Sequence, residues 1–346
     1  MKSTRIRARH VLAAASVLAA SLFAFETSAQ TNAVRGCAPA PRSPLVVDIK
    51  SKGAKGDGRT NDTAALQAAI DAVAGTGGTL LVPNGTYMID AAGKVRATLK
   101  SDMTLKLAAG ATLKVNPNGA DVYALLSLAG ASNVTIEGGT LEGDRKEHSA
   151  NTGEWGMGLR IEKGARNVTI SGVTIRKMWG DGIYVAGASN VNICALTADR
   201  NRRQGLSVIA VDGLTVTNSL FKDTKGTRPA AGIDLEPNGA TEVITNVRIE
   251  SSKFNDNEGP GILIAGKKGT ISNLEIKSNV FEGTLPIVVE DAREVADGGI
   301  CRNRLITRPT IETGGFSSHS EAIPVVIAQE QCGDRRLMVR RGKGKK

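Results

Sequence analysis

The sequence predicts an all-β chain wound into a parallel β-solenoid, and three observations carry that prediction. A Gly-led apolar tetrad recurs as GLRI (158–161), GIYV (182–185), GLSV (205–208), GIDL (232–235) and GILI (261–264), with starts 24, 23, 27 and 29 residues apart. A second tetrad recurs as NVTI (133–136 and 167–170), NVNI (190–193), GLTV (213–216), NVRI (246–249) and NLEI (273–276). A third short run follows it, as in GVTI (172–175), SLF (219–221) and KFN (253–255). Coils of about 23 residues leave no room for helices, and three short strands per coil bury their inward residues only by stacking on coils about 4.8 Å away.

In chain order, residues 1–29 read first as a secretory signal. They carry a basic start (Lys2, Arg5, Arg7, Arg9), an apolar run from Val11 to Phe25, and small residues at Thr27 and Ala29. That run is short for a membrane span, and no other stretch approaches about 20 apolar residues. The mature chain is therefore expected to be exported, periplasmic or secreted, monomeric and without a membrane partner. Cys37, Cys194, Cys301 and Cys332 all remain after cleavage, in a compartment where disulfides persist. Cys301 with Cys332 is the favoured pair, leaving Cys37 with Cys194.

The formal net charge of +10 is concentrated at the ends: residues 1–29 carry a net +3 and the tail DRRLMVRRGKGKK (334–346) a net +6, leaving +1 for the body. No polyanion groove follows from such a body, so no nucleic-acid partner is expected. The tail reads as a frayed, solvated end, and residues 30–333 as one domain.

Before the coils, NDTAALQAAIDAVAG has Asn61 or Asp62 as N-cap, Leu66, Ala69, Ile70 and Val73 on one face, and Gly75 as a stop. A single amphipathic helix beside a solenoid is expected to cover the exposed strand edges of the first coil. Residues 285–333 are expected to form a last coil and a disulfide-fastened cap.

The segment DIKSKGAKGDGRTNDTAALQAAIDAVAGTGGTLLVPNGTYMI (48–89) carries Gly-Ala-x-Gly-Asp-Gly, Asn-Asp-Thr-x-Ala and Val-Pro-x-Gly-x-Tyr. It resembles the leading segment of the pectate-lyase superfamily, in the branch of rhamnogalacturonases, polygalacturonase-related proteins and uronate epimerases. The resemblance implies a right-handed, single-stranded parallel β-helix and a polysaccharide as partner. It leaves the reaction open, because hydrolases, lyases, epimerases and binding modules share that scaffold. The polygalacturonase signatures Asn-Thr-Asp, Asp-Asp, Gly-His-Gly and Arg-Ile-Lys are not intact here, and the epimerase Asp-Pro-His is absent.

Strand alternation locates a candidate site instead. With the residue after each glycine inward, Arg160, Tyr184, Ser207, Asp234 and Leu263 form one outward column, and Glu162, Ala186, Ile209, Glu236 and Ala265 a second. The preceding turns add Trp179 and Asp181, then Arg202, Arg203 and Gln204, then Arg228. Asp234 and Glu236 have Cα atoms about 6.8 Å apart, twice the strand rise. That is compatible with the roughly 6.5–9.5 Å between the carboxyls of an inverting glycosidase, with Asp181 as a third acid. Mutual repulsion would raise one pKa and supply the proton donor.

Arginine supports a competing chemistry. Arg202, Arg203 and Arg228 would neutralise a uronate carboxylate before C5 proton abstraction, alone or with calcium held by Asp181, Asp234 and Glu236, with Tyr184 or an arginine as base. No cofactor is required by the residues themselves. An insertion, EGDRKEHSANTGEWG (142–156), supplies His148 as a candidate acid or base, and Trp155 with Trp179 as candidate sugar-stacking platforms. The recurring Asn133, Asn167, Asn190, Asn246 and Asn273 are expected to bond turn backbones in successive coils. The remaining histidines are too few for a zinc set, and no Gly-x-Ser-x-Gly elbow or phosphate loop is present.

Overall fold

Close stacking explains why the first tetrad always opens on glycine. In the computed structural model, a Cβ on Gly158, Gly182, Gly205 or Gly232 would come within 2.5–2.6 Å of the carbonyl oxygen of the next glycine in the column. The residue after each glycine is buried in the core (Leu159, Ile183, Leu206, Ile233, Ile262), as is the residue two further on (Ile161, Val185, Val208, Leu235, Ile264). The structure describes residues 42–94, 96–266, 268–290 and 295–306, with Cys37 and Ile323–Pro324. The expected signal, Cys332 and the basic tail lie outside the described residues.

Among the described residues the strands stack into sheets of 16 and 10 strands. Pairing is parallel from Val46–Asp48 on Thr79–Val82 at one end to Val280–Glu282 on Arg304–Leu305 at the other. Ile323–Pro324 then lies antiparallel on Leu285–Glu290 and covers a strand edge. The first and second tetrads share the larger sheet. In two coils they fuse into single 12-residue strands, Ile183–Cys194 and Leu206–Thr217, so two of the three short strands expected per coil are there one bent strand. The coils also begin well before residue 130: Thr79–Val82, Met103–Leu107 and Val122–Ala129 are earlier members. Uneven connections between them conceal the period in the sequence.

The asparagine corners differ from expectation. All five residues are left-handed, with φ between 48° and 58°, a conformation asparagine tolerates better than other non-glycine residues. They bond one another's side chains and not turn backbones: Asn167 Nδ2 donates to Asn133 Oδ1 at 2.9 Å, and Asn190 Nδ2 to Asn167 Oδ1 at 2.7 Å. Gly213 interrupts the row, and Asp212 restarts it by accepting from Asn246 Nδ2 at 2.7 Å.

On the smaller sheet, Lys114, Glu142, Arg176, Asp199 and Lys222 alternate in sign in successive coils, Arg176 meeting Glu142 at 2.6 Å. Inside, Phe221, Phe254 and Phe281 stack in register with centroids 5.2 and 4.9 Å apart. Charge alternation outside and ring stacking inside both reward one register and penalise a slip.

The helix runs from Thr63 to Val73, buries Leu66, Ala69, Ile70 and Val73 as expected, and packs on the first strands. Its N-terminus works differently from a simple cap. Asn61 Oδ1 accepts from the Thr63 backbone N–H at 3.1 Å, and Asp62 instead accepts from the N–H groups of Lys55 and Gly56 at 2.7 and 2.9 Å. Asp62 thereby ties the Gly-Ala-x-Gly-Asp-Gly loop to the helix start. Asp62→Ala strands these two donors and is expected to cost about 1–3 kcal/mol, read as a lowered unfolding temperature. Cys37 is bonded to Cys194 across 157 residues, and Cys301 is disulfide-bonded as well.

Candidate functional site

Alternation across stacked coils delivers the first outward column in register: Arg160 beside Tyr184, then Ser207, Asp234 and Leu263. The second column is distorted. Glu162 faces Ala186, but a register shift puts Ala210, and not Ile209, beside Ala186. The ladder resumes where the Glu236 N–H donates to the Val208 carbonyl at 2.9 Å.

The turn before Gly205 aims Arg203 across this wall, and its guanidinium gathers the acids. It meets Asp181 at 3.1 Å, Glu236 at 3.3 Å and Glu154 at 3.7 Å, and donates to Gln204 Oε1 at 3.1 Å. Gln204 passes the link on through its amide N–H, which donates to Asp234 Oδ2. Ser207 donates to Glu236 Oε1 at 3.4 Å. Asp181, Asp234 and Glu236, distant in sequence, therefore converge on one patch through Arg203 and Gln204.

The patch is layered. Asp181 and Asp234 have no exposed surface, while the side chains of Arg203, Glu236 and Glu154 are 12%, 17% and 43% exposed. Asp234 Oδ1 is buried without a hydrogen-bond partner. Burial, reinforced by the Glu236 charge and only partly offset by Arg203, raises the Asp234 carboxyl well above the usual range. Burial likewise pushes Asp181 up to about 7 despite Arg203. For Arg203 burial pulls the pKa down, and the surrounding carboxylates outweigh it and push it up. The site thus combines acids that hold protons near neutrality with a surface carboxylate beside them.

Of the other expected site residues, Tyr184 borders the cluster through its column neighbour Ser207, while Arg202, Trp179 and His148 form a separate stack. Tyr184 is half-buried beside Arg160, 5.9 Å from the guanidinium to the ring. Burial raises its phenol above the ordinary value, which opposes a role as tyrosinate base. Arg202 lies on the Trp179 ring at 3.8 Å and donates to the Gly153 and Trp179 carbonyls at 2.9 and 3.2 Å. Trp179 stacks in turn on His148 at 4.1 Å, and His148 Nδ1 contacts Asp144 Oδ2 at 2.9 Å. The His148 side chain is fully covered and Trp179 only 9% exposed, so this pair anchors the 142–156 insertion and is closed to a sugar. Trp155, in contrast, is 49% exposed. Arg228 is exposed in the turn leading to Gly232 and joined to Pro229 by a cis peptide.

Among the described residues, no group of three acidic, histidine or cysteine side chains is arranged to hold a metal ion. The cation among the acids expected to hold calcium is the Arg203 guanidinium. Sequence reasoning missed Glu154 as a partner of Arg203 and missed Tyr123, whose hydroxyl donates to Asp144. The insertion length was the available signal for Glu154, whereas Tyr123 reads as a core aromatic.

Residues 118–284 match the model of the right handed beta helix region, and residues 46–106 that of rhamnogalacturonase A/epimerase, pectate lyase-like. The chain is 30% identical over 300 residues to the uncharacterized protein YclG of Bacillus subtilis (strain 168), covering 74% of this chain and 51% of that one. It is 35% identical over 156 residues to mannuronan C5-epimerase AlgE1 of Azotobacter vinelandii, covering 40% of this chain and 11% of that one. The family 28 exopolygalacturonase of Yersinia enterocolitica superposes with a TM-score of 0.61 at 19% identity, covering 78% of this chain and 62% of that chain. The chain spans about half, or less, of the curated relatives it matches.

Proposed function

The chain belongs to the pectate lyase-like right-handed β-helix proteins, and we propose that it is an exported carbohydrate-active enzyme that cleaves a uronate-containing polysaccharide by hydrolysis. One observation carries the reading: the wholly buried Asp234, its carboxyl raised by burial, lies two residues before the partly exposed Glu236, which pairs with Arg203 while Gln204 links Arg203 to Asp234. In this reaction Glu236 takes a proton from water, the water oxygen bonds the anomeric carbon, and the glycosidic C–O bond breaks as Asp234 protonates the leaving oxygen. Asp181 is the reserve acid. Because Arg203 and Gln204 lie over both aspartates, the substrate must draw Arg203 aside, and a sugar carboxylate competing for its guanidinium does so.

A second reading, elimination or C5 epimerisation with Tyr184 or an arginine as base, is favoured by the likeness to mannuronan C5-epimerase AlgE1. It is opposed by the raised Tyr184 phenol. Polygalacturonate, alginate and rhamnogalacturonan, assayed for reducing ends and for ultraviolet absorbance of unsaturated products, separate the two. New reducing ends without unsaturation support hydrolysis. Unsaturated products support elimination, and silence across the panel supports a non-catalytic polysaccharide-binding protein.

A further inference from the structure

A second surface adjoins the acid cluster. Trp155 opens the strand Trp155–Glu162 in register with Val122, and the two are 49% and 41% exposed. Every other aromatic ring among the described residues is buried or half-buried. With Asp121, Asn151, Arg202 and Thr227 they line an open groove of about 460 Å³, within the size range of small-molecule sites. Glu154, also on its wall, is the residue that reaches Arg203 at 3.7 Å, so the groove borders the carboxylate cluster through Glu154.

The floor of the groove is held by a stack of side chains. Arg202 is clamped between the Trp179 face and two backbone carbonyls, and Trp179 is backed by His148 and Asp144. An exposed indole on a fixed floor is suited to the C–H face of a pyranose ring.

Charge then selects the ring. Arg202 is the cation lining the groove, and its guanidinium is already committed to those carbonyls and to the Trp179 face. Asp121 and Glu154 contribute carboxylates to the same wall. The lining therefore sets two carboxylates against one guanidinium whose donors are already taken, so a second uronate would meet excess negative charge and no free donor on Arg202, whereas an uncharged ring offers its hydroxyls to both acceptors. We infer that the Trp155 groove binds a neutral sugar ring next to the uronate held at the Arg203 cluster, so that the polymer contains both kinds of ring. The inference rests on the polysaccharide reading above and extends it to substrate composition.

The test uses saturation-transfer NMR on the full chain, with galactan, mannan and glucan tetrasaccharides as neutral probes and trigalacturonate as the charged one. Transfer to at least one neutral probe is expected. Trp155→Ala should weaken that binding by about tenfold and Trp155→Phe should retain most of it, as expected for loss of one stacking ring. Trigalacturonate binding should be unchanged by Trp155→Ala. The inference is overturned if no neutral probe binds, if Trp155→Ala binds neutral probes like the wild type, or if trigalacturonate is lost in parallel. Failure of the hydrolytic reading shows differently, as absent turnover with neutral binding preserved.

Discussion

Asp234→Asn is expected to abolish turnover and, at about pH 8, to raise the unfolding temperature. The two effects have one cause. Asp234 is wholly buried and one of its oxygens lacks a partner, so its ionised form is disfavoured in the folded chain. The unfolded chain releases that proton near about pH 3.9. Between that pH and the raised folded pKa, the native state holds a proton that the unfolded state has given up. Stability therefore falls as pH rises through this window, and the penalty is fully present above the folded pKa. Asp181 adds a fall of the same sign between the ordinary carboxyl value of 3.8 and about 7. Asparagine keeps the acceptor for the Gln204 amide and cannot ionise, so it escapes the penalty but has no acidic proton to deliver. Calorimetry across pH should show the variant more stable near about pH 8, with the advantage vanishing near about pH 4, where both side chains are neutral. A variant that is less stable at the higher pH, or fully active, removes Asp234 from the mechanism. A native residue that destabilises its own fold at working pH is the trade expected of an active site.

How much of this was legible in the sequence depends on whether a feature repeats. The Gly-led tetrads fix the column Arg160, Tyr184, Ser207, Asp234 and Leu263, because two-residue alternation counted from the glycine that opens each tetrad leaves one register. The helix face Leu66, Ala69, Ile70 and Val73 was readable for a similar reason, through its own period. Single events were not. The shift that pairs Ala186 with Ala210 displaces the second column, and nothing in AGASN or IAVDG announces which residue is extra. Side-chain direction was also hidden. His148 is a candidate acid or base in the sequence, yet the insertion stacks its imidazole on Trp179 and sets it against Asp144. Alternation places Asp234 on the outward column but does not encode its burial, or that of Asp181, nor the contacts of Arg203 with Asp181 and of Gln204 with Asp234.

Arg203→Met gives the strongest test of how that patch is held. Methionine keeps much of the stem's packing and removes the charge, leaving Asp181, Glu236 and Glu154 without the cation that all three approach within 3.7 Å. Removing one partner from a buried ion cluster costs about 3–5 kcal/mol, because the remaining charges are desolvated and uncompensated. The loss should be largest at about pH 8 and should shrink as pH falls, since Asp181, already raised to about 7 with Arg203 present, then needs less acid still to become neutral. Adding Asp181→Asn to Arg203→Met should recover part of the stability, and the double-mutant cycle gives the coupling between the two side chains. If Arg203 merely covered the wall by packing, the loss would be the same at both ends of the pH range and Asp181→Asn would recover nothing. A pH-dependent loss, relieved by Asp181→Asn, instead identifies a guanidinium that compensates acids the fold has forced together, the same guanidinium that, in the hydrolysis proposed above, a substrate carboxylate would have to win.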